Sequence, residues 1–569
     1  MKNSQFLAQA LIKVQTIISQ RNDIHILHTS ELQRKEREYF LKMGWIQEIV
    51  KGWYLLVRPD LQSGDSSAWY ASFWDFLFVY LNWFFAKDYC LSAEHSLNLH
   101  LDTTIIPKQV IAIAPKGRGA PLELPYQTSL FVYSSHDSSS FEKTTKRNLQ
   151  VMTLPYALCK VSPTFFELQP HAAEIALQLI KNPGDLLQVI VKNNFVRAAG
   201  RLIGAYRFLK NQEMVKNLLS GFDAAGIKIQ ETNPFLIQKP TLQGITFSSS
   251  YALRIKAMWS SYREKIIQHF PSPPGLPKNS KHYLNTVIEQ YSQDAYHSLS
   301  IEGYQVNNAL IERVKNANWA PDHDEKGREL TNNLSFEFIS LILRDFSLSS
   351  RSFYLEKGTL ALPFDKNPKN LRELSYENKQ NKLKTQVNTL AARGYFEAFE
   401  AMKVSLQDVL KGTNPGAVAE RDISQWFLAL FNPNVKAGLI DQADLFGYRR
   451  FQVYIRNSRH TPLPPHALND AMSTFFECLN MEKNPAVRAI LGHFVFVFIH
   501  PYMDGNGRIG RLLMNIMLAS GGYPWTIIHL EDRAKYLEAL EQASSYGDIV
   551  PFVKFIRSAL GFKHKEGND

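Results

Sequence analysis

The chain has 569 residues and a mass of 65.1 kDa, which is several times the usual length of one domain and predicts a multidomain protein. Its residues are 45% hydrophobic and 21% charged, with 29 Gly and 27 Pro, which argues against a disordered, collagen-like or coiled-coil chain. The net charge of +11 permits an anionic partner without identifying one.

Cysteines and apolar segments bear on the location of the protein. Cys90, Cys159 and Cys478 are far apart and lack CxxC or Cys–His spacing, which predicts buried apolar side chains in a reducing, cytoplasmic compartment. The most apolar run, Trp69 to Ala86, is interrupted by Asp75 and is short for a bilayer. It predicts a buried aromatic helix, and we expect no membrane association.

The first 60 residues carry a helix followed by a hairpin. A helical pattern runs from Thr29 to Lys42, with Ser30 placed as N-cap and Gly44 as terminator. Residues 45–56 then alternate around a Lys-Gly turn, which predicts two short strands. This outline resembles the N-terminal winged helix of abortive-infection type antitoxins, so residues 1–60 are predicted to form a winged-helix domain.

The resemblance to a winged helix raises the question of DNA contact. If the helix docks in a major groove, five basic side chains can reach phosphates: Arg34, Lys35, Arg37, Lys42 and Lys51. Four glutamates dilute this charge: Glu31, Glu36, Glu38 and Glu48. A solvated face on a protein-binding winged helix fits the same pattern, so both kinds of partner stay open.

The middle of the chain divides by composition. Residues 61–265 predict an α+β region whose role the sequence does not indicate, with strands at 109–114 and 129–133 and helices at 171–180 and 186–209. A linker is predicted over residues 266–281, because four prolines and a glycine there exclude helix and central strand. Residues 282–569 predict a mainly α domain. Within it, residues 345–384, rich in Ser, Asn, Lys and Pro, form an apparent insertion.

One segment of the C-terminal half carries chemistry. It reads His500-Pro-Tyr-Met-Asp-Gly-Asn-Gly-Arg-Ile-Gly-Arg511 and lies between two apolar stretches, which predicts helix, tight turn, helix. Gly505, Asn506 and Gly507 allow backbone N–H groups to converge at the start of the second helix. The turn is therefore a predicted anion site, and phosphate is its natural occupant.

The remaining polar residues of this segment suit phosphoryl chemistry. Arg508 and Arg511 lie on the first turn of the helix and can bind phosphate oxygens. Asp504 supplies the hard oxygen that Mg²⁺ needs, and His500 has the pKa range of a general base. These parts suffice for transfer from a nucleoside triphosphate to a hydroxyl group.

The segment resembles the Fic family motif HPFx(D/E)GNGRxxR, with Tyr502 in the usual Phe position. The resemblance implies a helical bundle with a β-hairpin flap that transfers AMP from ATP to a Ser, Thr or Tyr hydroxyl of a target protein. By the same resemblance His500 is the general base and Asp504 the Mg²⁺ ligand. Four further residues hold the nucleotide phosphates, Gly505 to Gly507 with Arg508, and Arg511 contacts the γ-phosphate.

Two further stretches are similar to parts of that family. Strand alternation from Tyr448, followed by prolines, resembles the flap that pairs with a target's backbone, with Gln452, Val453 and Tyr454 as docking residues. A later helix carries Tyr536 and Leu540 on one face, similar to the adenine-side wall, although packing on the core explains the same spacing. Ser544 replaces an Asn of some relatives, which leaves the nucleotide base open.

A third stretch, Ser298-Leu-Ser-Ile-Glu-Gly303, resembles the pattern (S/T)xxxE(G/N) of autoinhibited Fic proteins. Glu302 is expected to pair with Arg511 and so deny that side chain to ATP, with Ser298 and Gly303 completing the regulatory segment. Two alternatives stay open: removal of AMP from modified proteins, and a DNA-binding regulator with the Fic domain as nucleotide sensor. A homodimer is also left open.

Overall fold

The computed structural model describes residues 2–21, 24–57, 65–237, 240–242, 249–316 and 376–561. These residues fall in two compact units. The first unit is Met1–Ala257 with Tyr454–Thr461, and the second is Met258–Val453 with Pro462–Asp569.

The first unit opens with a small α+β core. Its elements are α1 (Lys2–Ser19), β1 (Ile26–His28), α2 (Arg34–Lys42), β2 (Ile46–Val50) and β3 (Trp53–Leu56). The strands form an antiparallel sheet in the order β1-β3-β2. Val14, Leu27, Phe40 and Ile46 join α1, α2 and the sheet in one buried cluster. The predicted helix and hairpin are therefore present, and the winged-helix identity stays a prediction.

The predicted helix begins later than the sequence pattern indicates. Ser30 lies in a short 3₁₀ turn, where the Glu31 carboxylate accepts a hydrogen bond from the backbone N–H of His28 at 2.7 Å. Glu36 accepts likewise from Gln33 at 2.7 Å, so Gln33 is the residue at the start of α2. Two successive capping boxes thus divide the pattern into a turn and a helix of 9 residues.

A mixed sheet and an aromatic helix follow. The elements are α3 (Ser67–Phe85), β4 (Cys90–Leu91), α4 (Ala93–His100), β5 (Gln109–Ala114), β6 (Leu122–Leu124), β7 (Thr128–Ser134), β8 (Lys143–Lys146) and β9 (Leu149–Met152). The two predicted strands are confirmed as β5 and β7, which run parallel within the order β4-β5-β7-β6. Trp69, Phe73 and Phe76 are buried on α3, as predicted, whereas Trp83 and Phe84 near its C-terminal end are 54% and 55% exposed. Within the described residues, no helix is long and apolar enough to cross a bilayer.

The first unit continues as a helical layer. Its helices are α5 (Leu154–Lys160), α6 (Pro163–Leu168), α7 (Pro170–Leu179), α8 (Pro183–Asn193), α9 (Val196–Phe208) and α10 (Gln212–Ala224), followed by the start of α11 (Ser250–His269). The single helix predicted over 186–209 is two helices, because Asn194 adopts the left-handed conformation at φ 54° and ends α8. Cys90 and Cys159 are buried as predicted, and burial raises the pKa of each thiol to about 12, whereas Cys478 of the second unit is only partly buried.

The second unit is helical. After the rest of α11 it contains α12 (Ser280–Ile301), α13 (Asn308–Lys315), α14 (Tyr376–Leu410), α15 (Pro415–Lys436), α16 (Leu468–Met481), α17 (Pro485–Ile499), α18 (Asn506–Ser520), α19 (Arg533–Tyr546) and α20 (Val550–Ala559). The proline-rich segment 270–279 is non-regular, although the division between units falls earlier, within α11. Of the apparent insertion 345–384, residues 345–375 lie outside the described chain.

The core of the second unit is built around α17 and α18. Almost every residue of both helices is buried, because α17 is apolar all round and α18 packs against it as well as against α14 and α15. The polar motif found in the sequence lies in the turn between these two buried helices. Its residues are therefore positioned by the buried core of the unit.

Candidate active site

The turn between α17 and α18 is shaped by two left-handed residues and one amide clamp. His500 ends α17 at φ 56°, and Gly505 begins α18 at φ 80°. The buried Asn506 side chain spans the turn: its Oδ1 accepts from Tyr502 N at 3.0 Å and its Nδ2 donates to Tyr502 O at 2.8 Å. Asn506 therefore holds the loop closed, and its amide atoms are already engaged.

Tyr502, within the turn, and Arg449, outside it, both stabilise the turn. The Tyr502 ring stacks on Phe427 with centroids 3.8 Å apart and planes within 5°. Arg449 is buried and donates from Nε to His500 O at 2.8 Å, and also donates to the carbonyls of Phe451 and Leu463. The sequence pattern did not predict a role for Arg449, because the carbonyl groups that it binds come together only in the folded chain.

The His500 ring is held as a neutral imidazole. Its Nδ1 lies 3.3 Å from the carbonyl of Val497, which assigns the ring proton to Nδ1 and leaves the Nε2 lone pair available. Burial, with a smaller contribution from the charge of Arg449, lowers the pKa of His500 to about 4. The ring is therefore a proton acceptor at neutral pH.

The predicted anion site at the start of α18 is occupied by a carboxylate of the same chain. A Cβ built at Gly507 would overlap Glu302 Oε1, so the Glu302 side chain lies directly against the first turn of the helix. A negative charge is stabilised there by unpaired backbone N–H groups and by the helix dipole. Glu302 thus occupies the place where the sequence predicts a phosphate.

The buried Arg508 forms an ion pair with the partly buried Asp504 beside this turn. Arg508 Nη2 lies 2.8 Å from Asp504 Oδ2, and Asp504 Oδ1 accepts from Gly505 N at 2.6 Å. The guanidinium lies against two aromatic rings, with its centre 5.1 Å from the Tyr304 centroid and 5.3 Å from that of Phe431. Among the described residues, Arg508 Nε has no hydrogen-bond partner, so part of this buried cation is unsatisfied.

Arg511 contacts the predicted regulatory segment, Ser298 to Gly303, which we call the brake segment. Its Nη2 lies 2.6 Å from Glu302 Oε1, while its Nε and Nη2 donate to the hydroxyl and carbonyl of Ser298 at 2.9 and 3.0 Å. Burial opposes ionisation of Glu302, but the charges of Arg511 and Arg508 outweigh it and lower the pKa of Glu302. The predicted contact between Glu302 and Arg511 is therefore present in the fold.

Gly303 allows the brake segment to turn away after α12. It adopts φ 95°, and its N–H bonds to Ser300 O at 3.0 Å, which ends the helix with a left-handed residue. Glu302 is consequently the C-cap residue of α12, and its carboxylate reaches Arg511. Its side chain is 32% exposed whereas that of Arg511 is 4% exposed, so the pair lies at the mouth of the site.

The predicted nucleotide wall on α19 faces inward. Tyr536 is 2% exposed, and its hydroxyl lies 2.7 Å from Nε2 of the buried His493, a residue that the sequence did not single out. Burial raises the pKa of Tyr536 to about 12, and the nearby charge of Arg511 partly offsets this effect. Leu540 is half-buried one turn later. Contact of Tyr536 and Leu540 with a nucleotide stays a prediction.

The predicted flap is non-regular chain without a strand ladder. Gln452 Nε2 donates to Val453 O at 3.1 Å and Pro462 O at 2.7 Å, and Tyr454 begins the short segment that belongs to the first unit. Within the first unit, His460 forms an isolated bridge with Ile105. A regular hairpin is absent from residues 448–465, all of them described, because side chains satisfy the carbonyls and prolines remove donors.

The residues considered for DNA contact lie on α2 and the turn after β2. Arg34 pairs with Glu38 at 2.8 Å, and Arg37 donates to Thr29 Oγ1 at 2.5 Å. Three lysines are exposed: Lys35, Lys42 and Lys51. DNA binding by this surface stays a prediction.

Comparison with known proteins places the site in a family. The sequence model of the Fic/DOC family matches residues 423–518. Protein adenylyltransferase Fic of Nematostella vectensis is 43% identical over 114 residues, which are 19% of this chain and 26% of the relative. The protein of the same name from Culex quinquefasciatus is 43% identical over 123 residues, 21% of this chain and 24% of the relative. The chain thus spans about a quarter of these curated relatives.

Solved Fic structures align with lower similarity. Fic-1 from C. elegans is 17% identical with a TM-score of 0.31, covering 68% of this chain and 89% of the other. A Fic domain containing signaling protein from Bacteroides thetaiotaomicron is also 17% identical, with a TM-score of 0.29, covering 55% and 92%. Superpositions at this level carry no structural argument. The sequence match and the motif turn establish that the C-terminal half of this chain contains a Fic domain.

Proposed function

We propose that this chain is a protein adenylyltransferase, which transfers AMP from ATP to a Ser, Thr or Tyr hydroxyl of a target protein and releases pyrophosphate. The Fic domain and the names of its curated relatives support this reaction class. The observation that carries the proposal is the carboxylate of Glu302 at the start of α18, because it marks a built anion site in which two arginines converge.

The transfer step uses the neutral ring of His500. The target hydroxyl oxygen bonds to the α-phosphorus while its proton moves to His500 Nε2, and the bond between the α-phosphorus and the oxygen leading to the β-phosphate breaks. The Nδ1 contact with Val497 keeps the ring in the accepting tautomer. The N-terminal N–H groups of α18 and Arg508 stabilise negative charge on the phosphates.

Asp504 fits the role of magnesium ligand. Each of its carboxylate oxygens accepts one hydrogen bond, from Gly505 N and from Arg508 Nη2, so each keeps a lone pair for a cation. Its side chain is 18% exposed and lies next to the proposed phosphate site. Bound Mg²⁺ would neutralise charge on the nucleotide phosphates and orient them.

The same geometry supports autoinhibition as part of the proposal. Glu302 occupies Arg511 and adds a carboxylate where the γ-phosphate of ATP requires positive charge. A nucleotide must therefore displace the carboxylate or bind with its phosphates misplaced. The protein is consequently expected to label itself or its target only weakly in its wild-type form.

Substitution of Glu302 tests both the activity and the brake. Glu302→Gly should raise AMP incorporation from labelled ATP by roughly tenfold or more, because the charge-assisted bond to Arg511 is worth about 1.5–3 kcal/mol. Glu302→Gln should raise it less, since the amide still reaches Arg511. Glu289→Gln, an exposed position on the same helix, is the matched control and should leave labelling unchanged.

A second substitution separates chemistry from binding. In the Glu302→Gly background, His500→Ala should reduce labelling by about 10²–10⁴-fold while calorimetry still detects ATP with Mg²⁺. Unchanged labelling in Glu302→Gly, with ATP binding intact, would reject the brake. Absence of AMP transfer from every variant, despite ATP binding, would reject the adenylyltransferase itself.

A further inference from the structure

Three potential metal ligands meet outside the motif turn. One nitrogen each from His297 and His529 and one carboxylate oxygen of Glu531 lie within 4.8 Å of one another. His297 is buried on α12, whereas His529 and Glu531 are exposed in the segment just before α19. All three belong to the second unit, and the proposed AMP transfer uses none of them.

Hydrogen bonds already join the two segments that carry these residues, the end of α12 and the residues just before α19. Leu530 N donates to His297 Nδ1 at 3.1 Å, and Arg533 Nε donates to the Ile301 carbonyl at 2.6 Å. The rings of His297 and His529 lie with centroids 4.4 Å apart at 63°. The ligand atoms are therefore brought close by contacts that do not require a metal, which lowers the entropic cost of assembling a site.

The chemistry of the donors indicates the class of ion. Two imidazoles and one carboxylate form a ligand set preferred by Zn²⁺ and related transition-metal ions, whereas Mg²⁺ and Ca²⁺ prefer oxygen donors. Because two of the ligands are exposed, water can reach a fourth position. We propose that His297, His529 and Glu531 bind one divalent transition-metal ion of the zinc class, which links the end of α12 to the segment before α19.

Binding has a structural consequence at Leu530. A neutral imidazole carries one ring lone pair, and in His297 this pair accepts the N–H of Leu530. An ion bound to His297 replaces that hydrogen bond, so the amide of Leu530 is released. The loss of one neutral hydrogen bond is small beside the strength of zinc–imidazole coordination.

The proposed metal site lies next to the residues that contact Arg511. His297 directly precedes Ser298, whose hydroxyl and carbonyl accept from Arg511. An ion here would hold the end of α12 that bears the brake segment. The metal site itself is independent of the proposed AMP transfer, so the two can fail separately.

Zinc titration of the full chain tests the site. Isothermal calorimetry with zinc chloride should detect one ion that is bound at least about tenfold more weakly by His529→Ala and by Glu531→Gln. His282→Ala, an exposed histidine near the start of the same helix, should bind as the wild type does. No zinc binding, or equal affinity in wild type and His529→Ala, would overturn the proposal.

A spectroscopic measurement guards against misfolding and other zinc sites. Residues 529 and 531 are exposed, so both variants should keep the wild-type melting temperature. Substitution of Co²⁺ should produce visible absorption bands of a four-coordinate ion in wild type and His282→Ala. Bands of equal intensity in a folded His529→Ala variant would place the ion elsewhere and reject the assignment.

Discussion

His500 combines a useful tautomer with an unusually low proton affinity. Burial and the charge of Arg449 lower its pKa to about 4 from an ordinary value of 6.5. A base of this kind is fully neutral at pH 7, although its driving force for accepting a proton is modest until anionic substrate arrives. Negative charge from bound phosphates would raise its pKa, as the charge of Glu302 already does to a small extent.

The pH at which AMP transfer declines in acid should reflect the lowered pKa of His500. In Glu302→Gly, kcat/KM for AMP transfer should stay nearly constant from pH 7.5 to 5.5 and fall only near pH 4, because transfer needs the neutral ring of His500. Initial rates in buffers of constant ionic strength provide the measurement. A half-maximal rate near pH 6.5 would contradict the burial of this ring.

Folding must be monitored in that experiment. The unfolded imidazole takes up its proton near pH 6.5 but the folded one only near pH 4, so the unfolded state binds more protons between these values. His493 has the same low pKa of about 4, because of its burial. Stability therefore decreases as the pH falls through this window, and circular dichroism at each pH supplies the control.

At the scale of elements, the turn between α17 and α18 owes its shape to Asn506. Both hydrogen bonds of this side chain go to the backbone of Tyr502, and both atoms are buried. The motif asparagine is therefore a clamp that sets the direction in which the N–H groups of α18 point. Its effect on a bound nucleotide is exerted through the backbone.

Asn506→Ala should destabilise the second unit measurably. Loss of the clamp leaves the buried N–H and C=O of Tyr502 without partners, at a cost of about 2 kcal/mol or more. Differential scanning fluorimetry should show a melting temperature several degrees lower, while Asn285→Ala on the exposed face of α12 should not change it. An unchanged melting temperature together with lost AMP transfer would assign Asn506 a direct role at the nucleotide instead.

At the scale of the whole molecule, the basic side chains lie in different environments, some buried in the candidate site and others on the surface. Arg508 and Arg511 are buried in the site, and Arg34 and Arg37 have partners within their own unit. The exposed positive charge near α2 therefore comes mainly from three lysines: Lys35, Lys42 and Lys51. This surface is the one to test for DNA binding.

A gel-shift salt series tests the predicted DNA contact. If the three lysines neutralise phosphates, replacing all of them with Ala should weaken binding and reduce the slope of log K against log salt by about 3. Lys87, Lys116 and Lys216 of the same unit are exposed and provide a charge-matched triple control. Equal binding by the two triple variants, or no salt-dependent binding by the wild type, would remove DNA as a partner of this surface.

The sequence determined those features whose signals are local. Gly505 adopts a positive φ in the motif turn, and the strands β5 and β7 form where alternation predicted them. Of the linker predicted over residues 266–281, the part 270–279 is non-regular, whereas its two ends belong to α11 and α12. The contact of Glu302 with Arg511, which joins residues 209 positions apart, was accessible only because a family resemblance linked two motifs. Without that resemblance, the sequence does not indicate that the motif with Glu302 contacts the motif with Arg511.

Tertiary structure alone decided the rest. It directed Arg449 to the carbonyls around His500, turned Tyr536 inward to His493, and left residues 448–465 without a strand ladder. It also assembled His297 with His529 and Glu531 from segments more than 200 residues apart. Such contacts depend on burial and on hydrogen bonds to distant backbone, and these are properties of the packed core that no local sequence pattern encodes.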